Sequence, residues 1–171
     1  MKALVAFASA HGSTRGVAER LGETLKRRGV DADVRSIEAG PSVAGYDAYV
    51  IGSPVYVGSW MAEAVAFVEQ NATALALKPV WLFSLGPLDQ QRGLMAKADW
   101  PEAKEVDSLR TAVNASDHRM FTGAIQPDEL SFLVRVFFRL SGGRYGDFRK
   151  WDEIDGWAGE IADQLTGDSD Q

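Results

Sequence analysis

The chain has 171 residues, of which 46% are hydrophobic and 25% charged, and it carries a formal net charge of −6. That composition suits one globular domain with a sizeable core. The complete lack of cysteine excludes disulfides, thiolate catalysis, iron–sulfur clusters and cysteine–zinc sites, and with two histidines a histidine-rich metal centre is not expected. An acidic protein gains no general attraction from polyanions, so nucleic acid is not an expected partner.

The opening "MKALVAFASA" has the lysine, apolar run and Ala-Ser-Ala of a signal peptide. Its apolar run, Ala3 to Ala8, is shorter than the ~7–15 residues of a secretory h-region. It reads as mature sequence, and a cytoplasmic location is expected. No stretch approaches the ~20 apolar residues of a membrane span, which leaves peripheral membrane contact as the only membrane role.

Lys2 to Ala8 reads as a short buried strand. Ser13 to Arg28 reads as a helix with Val17, Leu21 and Leu25 on its inner face and Gly29 ending it. Val30 to Ile37 alternates as a half-buried strand does. Ala39 to Tyr46 is a turn, and Asp47 to Gly52 is the next buried strand. Ser59 to Asn71 is expected to be helical, with Met61, Val65 and Val68 inward. Lys78 to Ser84 is a fourth strand, and Gly86 to Trp100 a long loop. Pro101 to Asn114 follows as a polar helix, and His118 to Ile125 as a fifth strand. Leu130 to Leu140 is a very apolar helix, Gly142 to Gly146 a break, and Trp151 to Leu165 the last helix. Residues 1–165 form one domain in this reading, and 166–171 a frayed acidic tail.

Strands alternating with helices imply parallel pairing through right-handed crossovers. Five strands with helices on both faces make a doubly wound α/β sheet, whose ligands bind at the carboxyl ends of the strands. Three loops occupy that edge. "SAHGST", Ser9 to Thr14, opens a helix whose N-terminus favours an anion. Ser9, Ser13 and Thr14 add hydroxyls, His11 a further donor, and Gly12 lets the backbone come close. With no lysine after the loop, it suits one phosphate monoester better than a triphosphate. Ordinary capping by Ser13 or Thr14 is the plainer reading. "GSPVYVGSW", Gly52 to Trp60, and "FSLGPLDQ", Phe83 to Gln90, could wall a flat ring. Their plainer readings are a strand-to-helix turn capped by Ser59, with Trp60 packed inside, and a simple turn.

The three loops together resemble the flavodoxin-like superfamily. Ser9, Gly12 and Thr14 match its phosphate loop, and Gly52, Ser53, Pro54, Tyr56 and Gly58 match its strand-three loop. The resemblance implies a five-stranded parallel sheet in the order 2-1-3-4-5 and FMN as cofactor, with a deazaflavin or another flavin-like ligand as the alternative. It also implies that Ser9, His11, Gly12, Ser13 and Thr14 hold the FMN phosphate. Tyr56 or Trp60 would lie near the isoalloxazine ring. Backbone groups of Pro54, Val55, Val57 and Gly58, and of Ser84, Leu85, Gly86 and Pro87, would meet its edges. The flavin carries the redox chemistry, so no catalytic side chain is assigned. Flavodoxins often turn a glycine-containing peptide toward reduced N5, and Val57-Gly58 is the candidate.

The C-terminal third resembles the menaquinone-dependent protoporphyrinogen IX dehydrogenase group of that superfamily. Gly142-Gly143, Asp147, Arg149 and Trp151 or Trp157 carry the match. The acidic charge and the segment from Leu88 to Trp100 depart from it. The stripe of Leu130, Leu133, Val134, Phe137 and Phe138 reads as core, or as a docking surface for an apolar partner. Two functions follow. One is an FMN oxidoreductase acting on a quinone or tetrapyrrole-type small molecule, which the added C-terminal segment favours. The other is an electron-carrier flavodoxin serving redox proteins, which the acidic charge favours. A flavin-free binding protein is a third.

Overall fold

The computed structural model describes residues 1–86, 102–125 and 146–167. Its elements are β1 (Lys2–Phe7), α1 (Ser13–Arg27), β2 (Asp31–Ser36), β3 (Ala48–Tyr56), β4 (Ser59–Trp60), α2 (Ala62–Leu75), β5 (Val80–Gly86), α3 (Val106–Val113), β6 (Asp117–Thr122), β7 (Ala124–Ile125), β8 (Gly146–Asp147) and α4 (Trp151–Gly167). A 3₁₀ turn at Ile37–Ala39 follows β2.

Five parallel strands run in the order β2-β1-β3-β5-β6, as the resemblance implies. Leu4 pairs with Asp33 on one side and Tyr49 on the other, and Ser53 pairs with Ser84. Alternation along the central strands divides the core between the two faces. Ala3, Val5, Val50, Trp81 and Phe83 face α1 and α4, packing on Val17, Leu21, Ile154, Trp157 and Ile161. Leu4, Ala6, Ile51 and Leu82 face α2 and α3, packing on Phe67, Val68, Leu109 and Val113.

Two glycines do structural work in this frame. Gly29 (φ +89°) ends α1: the Val30 amide bonds to the Leu25 carbonyl and the Gly29 amide to that of Lys26. That pair of bonds is a Schellman motif, which needs a left-handed residue at that position. Gly52 lies under the Phe83 ring, in space that a Cβ would overlap.

Several sequence expectations are corrected. The third strand does not stop at Gly52 but runs through Ser53 and Pro54 to Tyr56. The Ala8 amide bonds to the Gly52 carbonyl, so Pro54, two residues on, turns its amide position to the same side, where β1 has ended. Its missing N–H therefore costs no ladder bond. Ser59 and Trp60 are not the start of a helix. They fold back as β4, with Tyr56 opposite Ser59 and Val55 opposite Trp60. The expected fifth strand is broken at Gly123, and β7 pairs antiparallel with β8 in a separate small sheet. Gly146, expected in a break, lies in that sheet. The polar helix is shorter than expected, and Thr166 and Gly167 belong to α4 rather than to a tail. The expected helix from Leu130 to Leu140 and most of the loop from Gly86 to Trp100 lie outside the described residues.

Helices α1 and α4 are joined by a polar network. Arg20 donates to both Asp155 oxygens (2.7 and 2.5 Å) and Thr24 Oγ1 donates to Asp155 Oδ1 at 2.8 Å. The Arg20 hydrogen bonds hold the Asp155 carboxyl below the usual carboxylate range. A carboxyl depressed by folding stabilises above its unfolded pKa, and that contribution fades as pH falls through the folded value. Asp155→Asn should therefore cost about 1 kcal/mol at neutral pH. Urea unfolding should show this deficit shrinking as pH falls through and below the ordinary carboxylate range.

Candidate functional site: the carboxyl edge of the sheet

Parallel pairing brings the ends of β1, β3, β5 and β6 to one edge. The loop after β1 closes on itself, because Ser9 Oγ accepts the Gly12 amide at 3.0 Å. Ser9 keeps its own hydroxyl proton to donate. Gly12, at φ +85°, is the residue before α1, and no side chain caps the helix. The capping reading of Ser13 and Thr14 is therefore not what the fold uses. Helix α1 has no acidic residue in its first turn, so its N-terminus keeps its affinity for anions.

Thr14, 1% exposed, is the second residue of α1, and among the described residues no buried side-chain oxygen is left without a partner. Gly123 at the end of β6 closes the site from the other side. A Cβ there would sit 3.1 Å from the Gly86 carbonyl and 3.8 Å from Ser13 Oγ. The ends of β5 and β6 and the loop after β1 thus converge.

The second loop is a two-residue turn. Val57 (φ +51°) and Gly58 (φ +74°) join β3 to β4, both in the left-handed region that suits such hairpins. Glycine adopts this freely, whereas a β-branched valine is strained there. Val57 is fully exposed and Tyr56 46% exposed. Tyr56 meets His11 edge to face, with ring centroids 6.4 Å apart, so the first and second loops touch.

Trp60 is in the core at 4% exposure and donates Nε1–H to Ser84 Oγ at 2.7 Å. Of the two aromatics proposed as a ring wall, Tyr56 faces outward and Trp60 supports from beneath. Pro54, Ser84 and Leu85 are buried within strands, Val55 and Gly86 are half-buried, and Pro87 lies outside the described residues.

The sequence reading gave no role at this edge to Arg149. Its guanidinium grips Asp147 through two bonds (2.8 and 2.6 Å) and lies 4.5 Å from the Trp151 ring centroid. Its Nη1 donates to the Ser13 carbonyl at 3.4 Å. The Arg149 bonds hold the Asp147 carboxyl below its ordinary range. Thr122 Oγ1 donates to the Phe148 carbonyl, which ties this segment to the end of β6. A Cβ on Gly16 would overlap the guanidinium, so the bare helix surface admits Arg149. The signal in the sequence was the Asp-x-Arg spacing, and only the fold shows what it lies against.

This site fits the phosphate of a flavin mononucleotide: a helix start with no side-chain cap, three hydroxyl side chains and a glycine-turned loop, beside an exposed aromatic. The flavodoxin-domain family matches residues 4–143 of the chain. The protein belongs to that family, and FMN is its cofactor. Over 180 aligned residues, 95% of both chains, it is 27% identical to the protoporphyrinogen IX dehydrogenase (quinone) of Escherichia coli strain K12. Among solved structures it shares its fold with a flavodoxin from the domain Archaea (TM-score 0.58, 16% identity, 97% of this chain and 99% of that one). It also shares it with the flavodoxin of Streptococcus pneumoniae TIGR4 (TM-score 0.55, 17% identity, 98% and 99%). Among the described residues no helix is long and apolar enough to cross a membrane.

Proposed function

We propose that this protein is an FMN-dependent oxidoreductase that passes electrons to or from a quinone or a tetrapyrrole-type substrate. The observation that supports this reading is the similarity to the dehydrogenase along 95% of both chains, which extends beyond the stretch matched by the flavodoxin domain. Bound FMN supplies hydride or electron transfer at its ring. The protein's part is to bind, orient and screen it. Ser9, Ser13 and Thr14 donate hydroxyl hydrogens to the phosphate, aided by the α1 amides. Arg149 brings a positive charge to the same helix end. Tyr56 covers the ring, and the Val57–Gly58 turn presents its peptide to the ring edge.

Thr14→Ala is expected to weaken FMN binding by about 1–3 kcal/mol, the usual cost of losing a hydrogen bond to a charged group. Flavin fluorescence titration of the apoprotein measures it. His11→Ala should have the smaller effect, because His11 contacts Tyr56 at the loop surface. A larger loss with His11→Ala would move the phosphate contacts away from the hydroxyls.

The substrate reading is tested anaerobically. The FMN-loaded protein should be reduced by a porphyrinogen and reoxidised by a menaquinone analogue within a turnover. The net charge of −6 favours a second reading, a carrier steered to basic redox proteins. A carrier would exchange electrons with a flavodoxin reductase but leave both small molecules unchanged.

A further inference from the structure

A chain of short hydrogen bonds runs from the surface into the sheet beneath the β3–β4 hairpin. Glu102 Oε1 lies 2.7 Å from His118 Nδ1, and His118 Nε2 lies 2.9 Å from Ser84 Oγ. Ser84 Oγ in turn receives the Trp60 indole at 2.7 Å. Ser84 is completely buried, the His118 side chain is 1% exposed, and the Glu102 side chain is 45% exposed. The spacing resembles that of a serine–histidine–carboxylate triad, but a fully buried hydroxyl that accepts an indole N–H has no route to a substrate.

The proton positions follow from what each group can do. An indole nitrogen only donates, so Ser84 accepts from Trp60. The Ser84 proton must then go to His118 Nε2, its only other partner among the described residues. His118 therefore holds its proton on Nδ1 and donates it to Glu102. Protonating Nε2 would set two hydrogens against each other. Ser84 would have to turn its own away inside the sheet, where among the described residues it bonds to no other acceptor.

The same segment grips the hairpin directly. The Lys104 amide donates to the Gly58 carbonyl at 3.0 Å, and Glu105 Oε2 accepts the Trp60 amide at 3.3 Å. The hairpin that carries Tyr56, Val57 and Gly58 is thus pinned at its turn and at its base by residues 102–105 and His118.

We infer that His118 is a positioning residue for the β3–β4 hairpin, locking Trp60 through Ser84 only while Nε2 is unprotonated. The charged groups that face it are Glu102 before α3, Arg110 on α3 and Asp117 beside it on β6. Burial pushes its pKa down, and Glu102 opposes this only in part, so the ring stays neutral at physiological pH. Acidification through that lowered value should loosen the hairpin. The consequence for FMN rests on the placement of Tyr56 and the 57–58 turn at the ring proposed above.

Two readouts test it, with His118→Gln as the neutral variant that can still accept from Ser84 and donate to Glu102. In the apoprotein, nuclear magnetic resonance should show the Trp60 indole and Gly58 amide signals shifting together with titration of the His118 ring. Trp60→Phe identifies the indole signal. In His118→Gln both signals should hold still over the same range. FMN affinity of the wild type should fall about tenfold more than that of His118→Gln as pH is lowered from neutral through the His118 titration seen by resonance, since a bond left unmade in the interior is worth roughly that factor. Titration of the FMN phosphate affects both proteins alike and cancels. Trp60 and Gly58 signals that ignore His118 would overturn the inference, as would identical FMN profiles in the two proteins. Failure of every variant to bind FMN at any pH would instead indict the site reading, while the apoprotein signals still decide the role of His118.

Discussion

Trp157→Ala is expected to lower the free energy of unfolding by about 3–5 kcal/mol, the range found when a buried large aromatic is truncated. Trp157 is 1% exposed on α4. Its ring meets Phe121 at 5.5 Å and Phe83 at 6.4 Å between centroids, both edge to face. The Phe83 ring in turn fills the space over Gly52, so truncation would loosen a stack that reaches the centre of the sheet. The indole N–H also donates to Asp117 Oδ2 at 2.9 Å. Burial by itself would raise the Asp117 pKa, but the bonds from Trp157, the His118 amide and Arg119 outweigh it and keep the carboxyl ionised. Removing the indole strips that half-exposed carboxylate of a donor. A domain of this kind has only about 5–15 kcal/mol in total, so the variant should sit near the edge of folding. Urea unfolding followed by far-ultraviolet circular dichroism measures the change. Trp157→Phe should recover most of it, losing the hydrogen bond but keeping the packing. A cost near 1 kcal/mol for Trp157→Ala would mean that the α4 face tolerates the gap by closing over it.

Charge reversal at the helix start should have the largest effect on the cofactor. Arg149→Glu is expected to weaken FMN binding about 100-fold, because an anion replaces a cation near a doubly charged phosphate. Asp147 neutralises part of the Arg149 charge, which keeps the effect well below that of an unpaired ion. Arg149→Lys keeps the charge but loses the fork that grips Asp147, and a loss below about tenfold is expected. Riboflavin, which lacks the phosphate, provides the control. Its binding should be nearly the same in the wild type and in Arg149→Glu. Equal weakening of riboflavin and FMN would show that Arg149 shapes the pocket without acting on the phosphate.

Much of this was legible in order along the chain. The buried runs at Lys2 to Ala8, Asp47 to Gly52 and Lys78 to Ser84, with amphipathic helices between them, announce a parallel sheet whatever their contacts turn out to be. Helix α1 could be bounded to within a residue, since Gly29 leaves a local mark that needs no tertiary information. The hydroxyl-rich loop from Ser9 to Thr14 and the helix start after it were legible for the same reason: both are built from consecutive residues. The β3–β4 hairpin was not. "VYVG" lacks the Asn-Gly or Asp-Gly signature of a tight turn, and Ser53-Pro54 reads as a strand breaker. That proline is tolerated only because β1 has already ended beside it.

The resemblance supplied the strand order, while the sequence by itself determined the α/β class and the position of the hydroxyl-rich loop. These depend on period, on local turn chemistry and on the handedness of crossovers, all of which act over a few residues or a single unit. Only the tertiary structure decided which side chains finish the site. Arg149 lies 136 residues from Ser13, and His118 lies 34 from Ser84 and 16 from Glu102. No local pattern can link such pairs, because their encounter is fixed by how β6 and the segment before α4 dock on the carboxyl edge. Burial also sorted Trp60 from Tyr56. Both are aromatics in one loop, but a two-residue turn sends Trp60 back under the sheet edge and leaves Tyr56 facing out.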